Sequence, residues 1–121
     1  MKSIILSFTL KGQDLSEIKE RILTIKHYIG NNVILIHGFM SRKELEKRGY
    51  SIELNDFFNE HFPVQLNMYN GGVLRKEMAE IADKLNAEIF VIGEIKGGVA
   101  EEVELYRKYN LKIIHVLLNT D

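Results

Sequence analysis

Two short runs, Ile4-Ile5-Leu6 and Val33-Ile34-Leu35-Ile36, are apolar at every position rather than at alternate ones. A strand with one face in water alternates apolar and polar residues, so a run without alternation belongs in a sheet covered on both faces. Between the two runs, Leu15, Ile18, Ile22, Ile25 and Ile29 recur at intervals of three and four, which predicts an amphipathic helix over residues 14–29. Asp14 is placed to cap it, with Glu17 three residues on to complete a capping box, and Gly30-Asn31-Asn32 ends it. Strand, helix and strand in this order give a parallel pair joined by a crossover.

The same unit returns later in the chain. Leu74, Met78, Ile81, Ala82 and Leu85 mark one face of a helix over residues 71–86, and residues 88–92 read as a strand. A loop at 93–98, a helix at 99–109 and a strand at 111–118 follow. Residues 41–48 read as a short helix, with Ser41 and Glu44 as a second capping box and Gly49 as its breaker. The pattern is weakest over residues 50–69, where a helical turn at 56–60 and an edge strand at 64–68, just after Pro63, are expected. The expected architecture is a single α/β domain over residues 1–121, a three-layer Rossmann- or flavodoxin-like fold with a parallel sheet of four to five strands.

Composition removes several functions. The chain has 121 residues, with 16 Lys and Arg against 17 Asp and Glu, a formal net charge of -1. No basic excess points to nucleic acid, and Lys43, Lys47 and Arg48 interleave with Glu44 and Glu46 as on a solvated face. Without cysteine there is no disulfide, no thiolate catalysis and no cysteine-ligated zinc. No apolar run is long enough to span a membrane, and the run that follows Met1-Lys2-Ser3 is too short for a secretory leader, so a cytoplasmic location is expected.

In a doubly wound sheet, ligands bind beyond the carboxyl ends of the strands, where the strand order reverses. The candidate segments are therefore residues 9–13, 37–41 and 94–100, with Asn70-Gly71-Gly72 at a helix start. Gly97-Gly98 precedes a helix, where exposed N–H groups can hold an anion or a ring oxygen; equally, a glycine pair there is an ordinary tight turn. Gly12-Gln13-Asp14 offers a similar site after the first strand, and neither segment carries the phosphate-loop or dinucleotide fingerprint. Glu101, Glu102 and Glu104 crowd the last helix, as acidic groups at a helix start commonly do, but helical phase sets Glu102 closest to the apolar stripe. A carboxylate at such a border can act as nucleophile or base. Of the four histidines, His37 ends the second strand and is a candidate ligand contact, whereas His27 is expected to face solvent and His115 to be structural. No histidine pair has zinc-site spacing, so neither a metal nor a cofactor is expected. Phe39, Phe57 and Phe58 are candidates either for the core or for covering a nucleobase.

Residues 75–116 resemble the nucleoside 2-deoxyribosyltransferase-like family. The resemblance lies in Ala87-Glu88-Ile89-Phe90-Val91-Ile92, in Gly98-Val99-Ala100-Glu101-Glu102-Val103-Glu104-Leu105-Tyr106 and in Leu111-Lys112-Ile113-Ile114. The family's small glycine turn, alanine and glutamate fall on Gly98, Ala100 and Glu102. The resemblance implies that Glu102 attacks the anomeric carbon of a nucleoside or (deoxy)nucleoside 5′-monophosphate, after which the sugar passes to another base or to water. Glu94 stands where family members carry aspartates that contact the ribose or base, which makes it a second candidate catalytic residue. The turn after the first strand, Ser7-Phe8-Thr9-Leu10-Lys11-Gly12, stands in place of the family's glycine-proline turn. The substrate-binding candidates are then Ser7, Thr9, Gly12, His37, Gly97 and Gly98. A homodimer or larger assembly is also implied. A non-catalytic nucleotide-binding protein of the same fold, and an assembly protein whose glycine loop is only a turn, fit the same residues.

Overall fold

A computed structural model describes residues 1–9, 14–39, 42–47, 52–69 and 75–119. The elements in chain order are β1 (Lys2–Ser7), α1 (Leu15–Ile29), β2 (Val33–His37), α2 (Arg42–Lys47), α3 (Glu53–His61), β3 (Gln65–Asn67), α4 (Arg75–Leu85), β4 (Glu88–Ile92), α5 (Gly97–Lys108) and β5 (Lys112–Val116). The five strands form one parallel sheet in the order β3-β2-β1-β4-β5. This is a Rossmann-like three-layer α/β fold, with β1 and β4 adjacent where the strand order turns back.

Successive side chains of a strand point to opposite faces, so each central strand feeds two cores. Ile4, Leu6, Val33, Leu35, Phe90 and Ile92 meet Ile18, Ile22 and Ile25 of α1 and the aromatic residues Phe57, Phe58 and Phe62. On the other face Ile5, Ile36, Ile89 and Val91 meet Met78, Ala79 and Ala82 of α4 and Val99, Val103 and Tyr106 of α5. The alanines let α4 lie close to the sheet. The unbroken apolar runs follow directly from this double coverage.

Several local features differ from the sequence reading. Asp14 caps α1 by accepting from the Ser16 backbone N–H at 2.9 Å, but Glu17 does not complete a capping box. Its buried carboxylate instead accepts the backbone N–H of Asn119 and lies 3.5 Å from Arg21 Nη2. Arg21 in turn donates to the Leu117 carbonyl and to Asn119 Oδ1, so the segment after β5 is tied onto α1, with Leu118 buried in the core. In the weakly patterned middle the expected helical turn is a full helix, α3, whereas the edge strand expected at 64–68 is present as β3. Helix α4 ends at Leu85, with Asn86 in the left-handed region at φ 53°. Helix α5 begins two residues earlier than its apolar periodicity predicts, at Gly97. Ser41 and Gly49, parts of the expected second capping box and its breaker, lie outside the described residues. Among the described residues no helix is long and apolar enough to cross a membrane.

Candidate functional site

Ser7 is the last residue of β1, and its position in the alternation after Ile5 turns its side chain toward α4 and α5. Helix α5 starts just beyond the carboxyl end of β4, the neighbour of β1. These two elements bring together residues that are far apart in sequence: Ser7 Oγ donates to Glu102 Oε2 at 2.6 Å. A contact of that length falls in the range of a hydroxyl bound to an ionised carboxylate. Glu102 is half-buried, whereas Glu101 and Glu104 are exposed, which agrees with the helical phase. Because α5 begins at Gly97, no acidic residue occupies its first turn. A helix-dipole preference, which fades beyond the first turn, therefore does not explain this acidic group.

Gly98, Glu102 and Tyr106 are spaced by four and form one ridge of α5. Tyr106 is almost fully buried, and burial, reinforced by the negative charge of Glu102 and opposed by Arg75, raises its phenol far above the ordinary range. It therefore remains a protonated donor beside the carboxylate. Arg75 opens α4 and lies across the start of α5, with Nη1 3.2 Å from Glu101 Oε2. Its Nε is buried with no hydrogen-bond partner among the described residues. The N-cap of α5, Lys96, gives no side-chain hydrogen bond, and Gly97 is in the left-handed region at φ 54°. The amino end of α5 thus has no side-chain cap, its Val99 and Ala100 N–H groups donating to the Lys96 carbonyl, and it lies beside a cation and a carboxylate held by a hydroxyl.

The other sequence candidates are placed differently. Glu94 is exposed in the loop after β4 and pairs with Lys96 at 3.3 Å. Thr9 is half-buried just past β1, and Gly12 lies outside the described residues. His37 shares the strand parity of Leu35 and stacks on Phe39 with a centroid distance of 5.0 Å, on the face opposite Glu102. His115 Nε2 lies 2.6 Å from the Gly93 carbonyl oxygen, a structural contact. Phe39, Phe57 and Phe58 belong to the α1–α3 core. The sequence reading singled out neither Arg75 nor Tyr106; the spacing of four from Gly98 through Glu102 was the signal that could have added Tyr106.

Gly98 is needed for space. A Cβ there would stand 2.8 Å from Arg75 Nη2. Gly98→Ala should push the guanidinium aside and weaken its exposed pair with Glu101, so urea unfolding should change by less than about 1 kcal/mol.

No protein-family model matches this chain, and none of the curated proteins shows significant sequence similarity to it.

Proposed function

We propose that this protein breaks the N-glycosidic bond of a nucleoside or (deoxy)nucleoside 5′-monophosphate, with Glu102 as the nucleophile. The observation that carries the reading is the Ser7–Glu102 hydrogen bond at the reversal of strand order. A half-buried carboxylate, held by a hydroxyl where doubly wound sheets bind ligands, is oriented for attack rather than solvated. The resemblance of residues 75–116 to the nucleoside 2-deoxyribosyltransferase-like family supports the same assignment and extends it to a homodimer or larger assembly.

In the reaction a Glu102 carboxylate oxygen bonds to the anomeric carbon as the carbon–nitrogen bond breaks. The bonding pair leaves with the base, which takes a proton from solvent. Water or a second base then attacks the same carbon, releases the carboxylate and gives up its own proton. Ser7 holds one carboxylate oxygen, leaving the other to react. Tyr106 supplies a neutral donor, and the amino end of α5 with Arg75 suits the sugar hydroxyls or a 5′-phosphate.

The test is to incubate the protein with nucleosides, deoxynucleosides and their 5′-monophosphates plus one free base, following released base, sugar and exchanged nucleoside by mass spectrometry. Product formation supports the proposal and identifies the sugar and phosphate requirement. Tight binding without product would replace it with the nucleotide-binding reading. Ser7→Ala removes one hydrogen bond to a charged group, worth about 1.5–3 kcal/mol, so turnover should fall by about 10- to 100-fold.

A further inference from the structure

His37 lies outside the proposed reaction, yet both of its ring nitrogens are committed. Nδ1 accepts the backbone N–H of Phe39 at 3.2 Å, and Nε2 lies 2.8 Å from Gln65 Oε1. The orientation of the Gln65 amide is fixed independently, because its Nε2, with two hydrogens to share, lies among three acceptors: the Phe62 carbonyl at 2.8 Å, Asn59 Oδ1 at 3.1 Å and the Phe58 carbonyl at 3.3 Å. With the amide oxygen turned to the imidazole, His37 must carry its hydrogen on Nε2, leaving Nδ1 bare for Phe39. Phe39 sits between the His37 and Phe58 rings, each with a centroid 5.0 Å away, and packs against Phe8 at 5.9 Å.

A second proton on His37 has only Nδ1 to occupy. There it would point at the Phe39 N–H, turning an acceptor into a second donor, and the Gly38–Phe39 connection could not keep its place. We propose that His37 is an acid-released latch: its protonation frees Phe39 and the start of the β2–α2 connection from the aromatic stack. Phe8 follows Ser7 directly, so the released segment borders the same end of the sheet as Glu102.

Among the described residues no charged group pairs with His37 to hold the imidazolium. Its own face carries Leu6 of β1 and Gln65 of β3, and the α3 residues beneath are phenyl rings. Several charged groups of the packed helices are engaged elsewhere, and Glu20 of α1 is exposed. On α3, Asp56 pairs with Arg42, Glu53 with Lys19, and His61 packs at a tilt against Phe57 with Glu60 3.8 Å away; on α1, Glu17 holds Asn119 and Arg21. Burial accordingly lowers the His37 pKa below 6.5, with the Gln65 hydrogen bond opposing. The folded chain then binds this proton less readily than the unfolded chain. The resulting stability is complete above about pH 6.5 and is lost as pH falls through the folded midpoint.

The experiment is an NMR titration of the wild-type protein, reading the imidazole nitrogens and the hydrogen-exchange protection of the Phe39 amide together. The expected result is an Nε2–H tautomer at neutral pH and a His37 midpoint below 6.5. Phe39 protection, corrected for intrinsic exchange, should fall by up to about tenfold per pH unit between about pH 6.5 and the His37 midpoint and level off below it. An Nδ1–H tautomer, or Phe39 protection unchanged through the titration, would overturn the proposal. His37→Gln should abolish the pH dependence at Phe39; its persistence with the same midpoint would also count against the latch.

Discussion

Glu102→Gln should reduce nucleoside cleavage by at least about 10³-fold while leaving the fold intact, because an amide oxygen cannot supply the electron pair a covalent glycosyl intermediate requires. Glutamine matches glutamate in shape and keeps a carbonyl oxygen for Ser7 to donate to, so the 2.6 Å contact survives as a weaker neutral bond. Thermal unfolding should therefore change little. Comparing the two proteins on the same substrate panel, with circular dichroism to verify folding, makes the outcome decisive. Equal turnover by the variant would exclude Glu102 as nucleophile and leave binding as its remaining role. The contrast with Ser7→Ala is also informative. Loss of an orienting hydroxyl lowers the rate by one to two orders of magnitude, whereas loss of the nucleophile removes the pathway.

The largest effect on stability is expected at Phe62. Its side chain is fully buried at the carboxyl end of α3, where its backbone N–H donates to the Phe58 carbonyl at 2.8 Å. Its ring lies 6.1 Å from that of Phe58 and 5.6 Å from Lys26 Nζ of α1, so it joins the two helices on one face of the sheet. Phe62→Ala would leave a ring-sized void between elements that cannot easily collapse, a loss of about 3–5 kcal/mol. Denaturant unfolding should show the midpoint falling with little change in slope. A loss below about 1 kcal/mol would mean that the α1–α3 core repacks around the gap.

How much was readable in the sequence depended on how local each cause is. Apolar residues at every position of β1 and β2 announced a sheet covered on both faces, and the spacing of α1 and α4 announced helices, because these signals lie within a few residues. Helix α3 was seen only as a turn. Its buried residues Phe57 and Phe58 lie among Asn55, Asp56, Asn59 and Glu60, and a nine-residue element leaves few turns in which a period can show. The three residues of β3 are too few to alternate. At the site, the phase of α5 was enough to separate Glu102 from its acidic neighbours. Its partnership with Ser7 was not, because it depends on the order of strands. For His37 the missing information was parity: whether the end of β2 turns its side chain toward α3 or toward α4 is fixed by register, and one residue of slip would reverse it.

The strand order also determines when such a site can exist. Of these strands β1 is made before the others but occupies the middle of the sheet, and one of its edges remains open until β4 arrives to pair Ile4 with Glu88 and Ser7 with Val91. Ser7 then waits for a partner 95 residues away on the helix that follows. Contacts of such separation form late, after the entropy of a long loop has been overcome. A partly made chain can shelter much of the α1 side of the sheet, yet it holds no Ser7–Glu102 pair, so this pairing is a marker of completed folding.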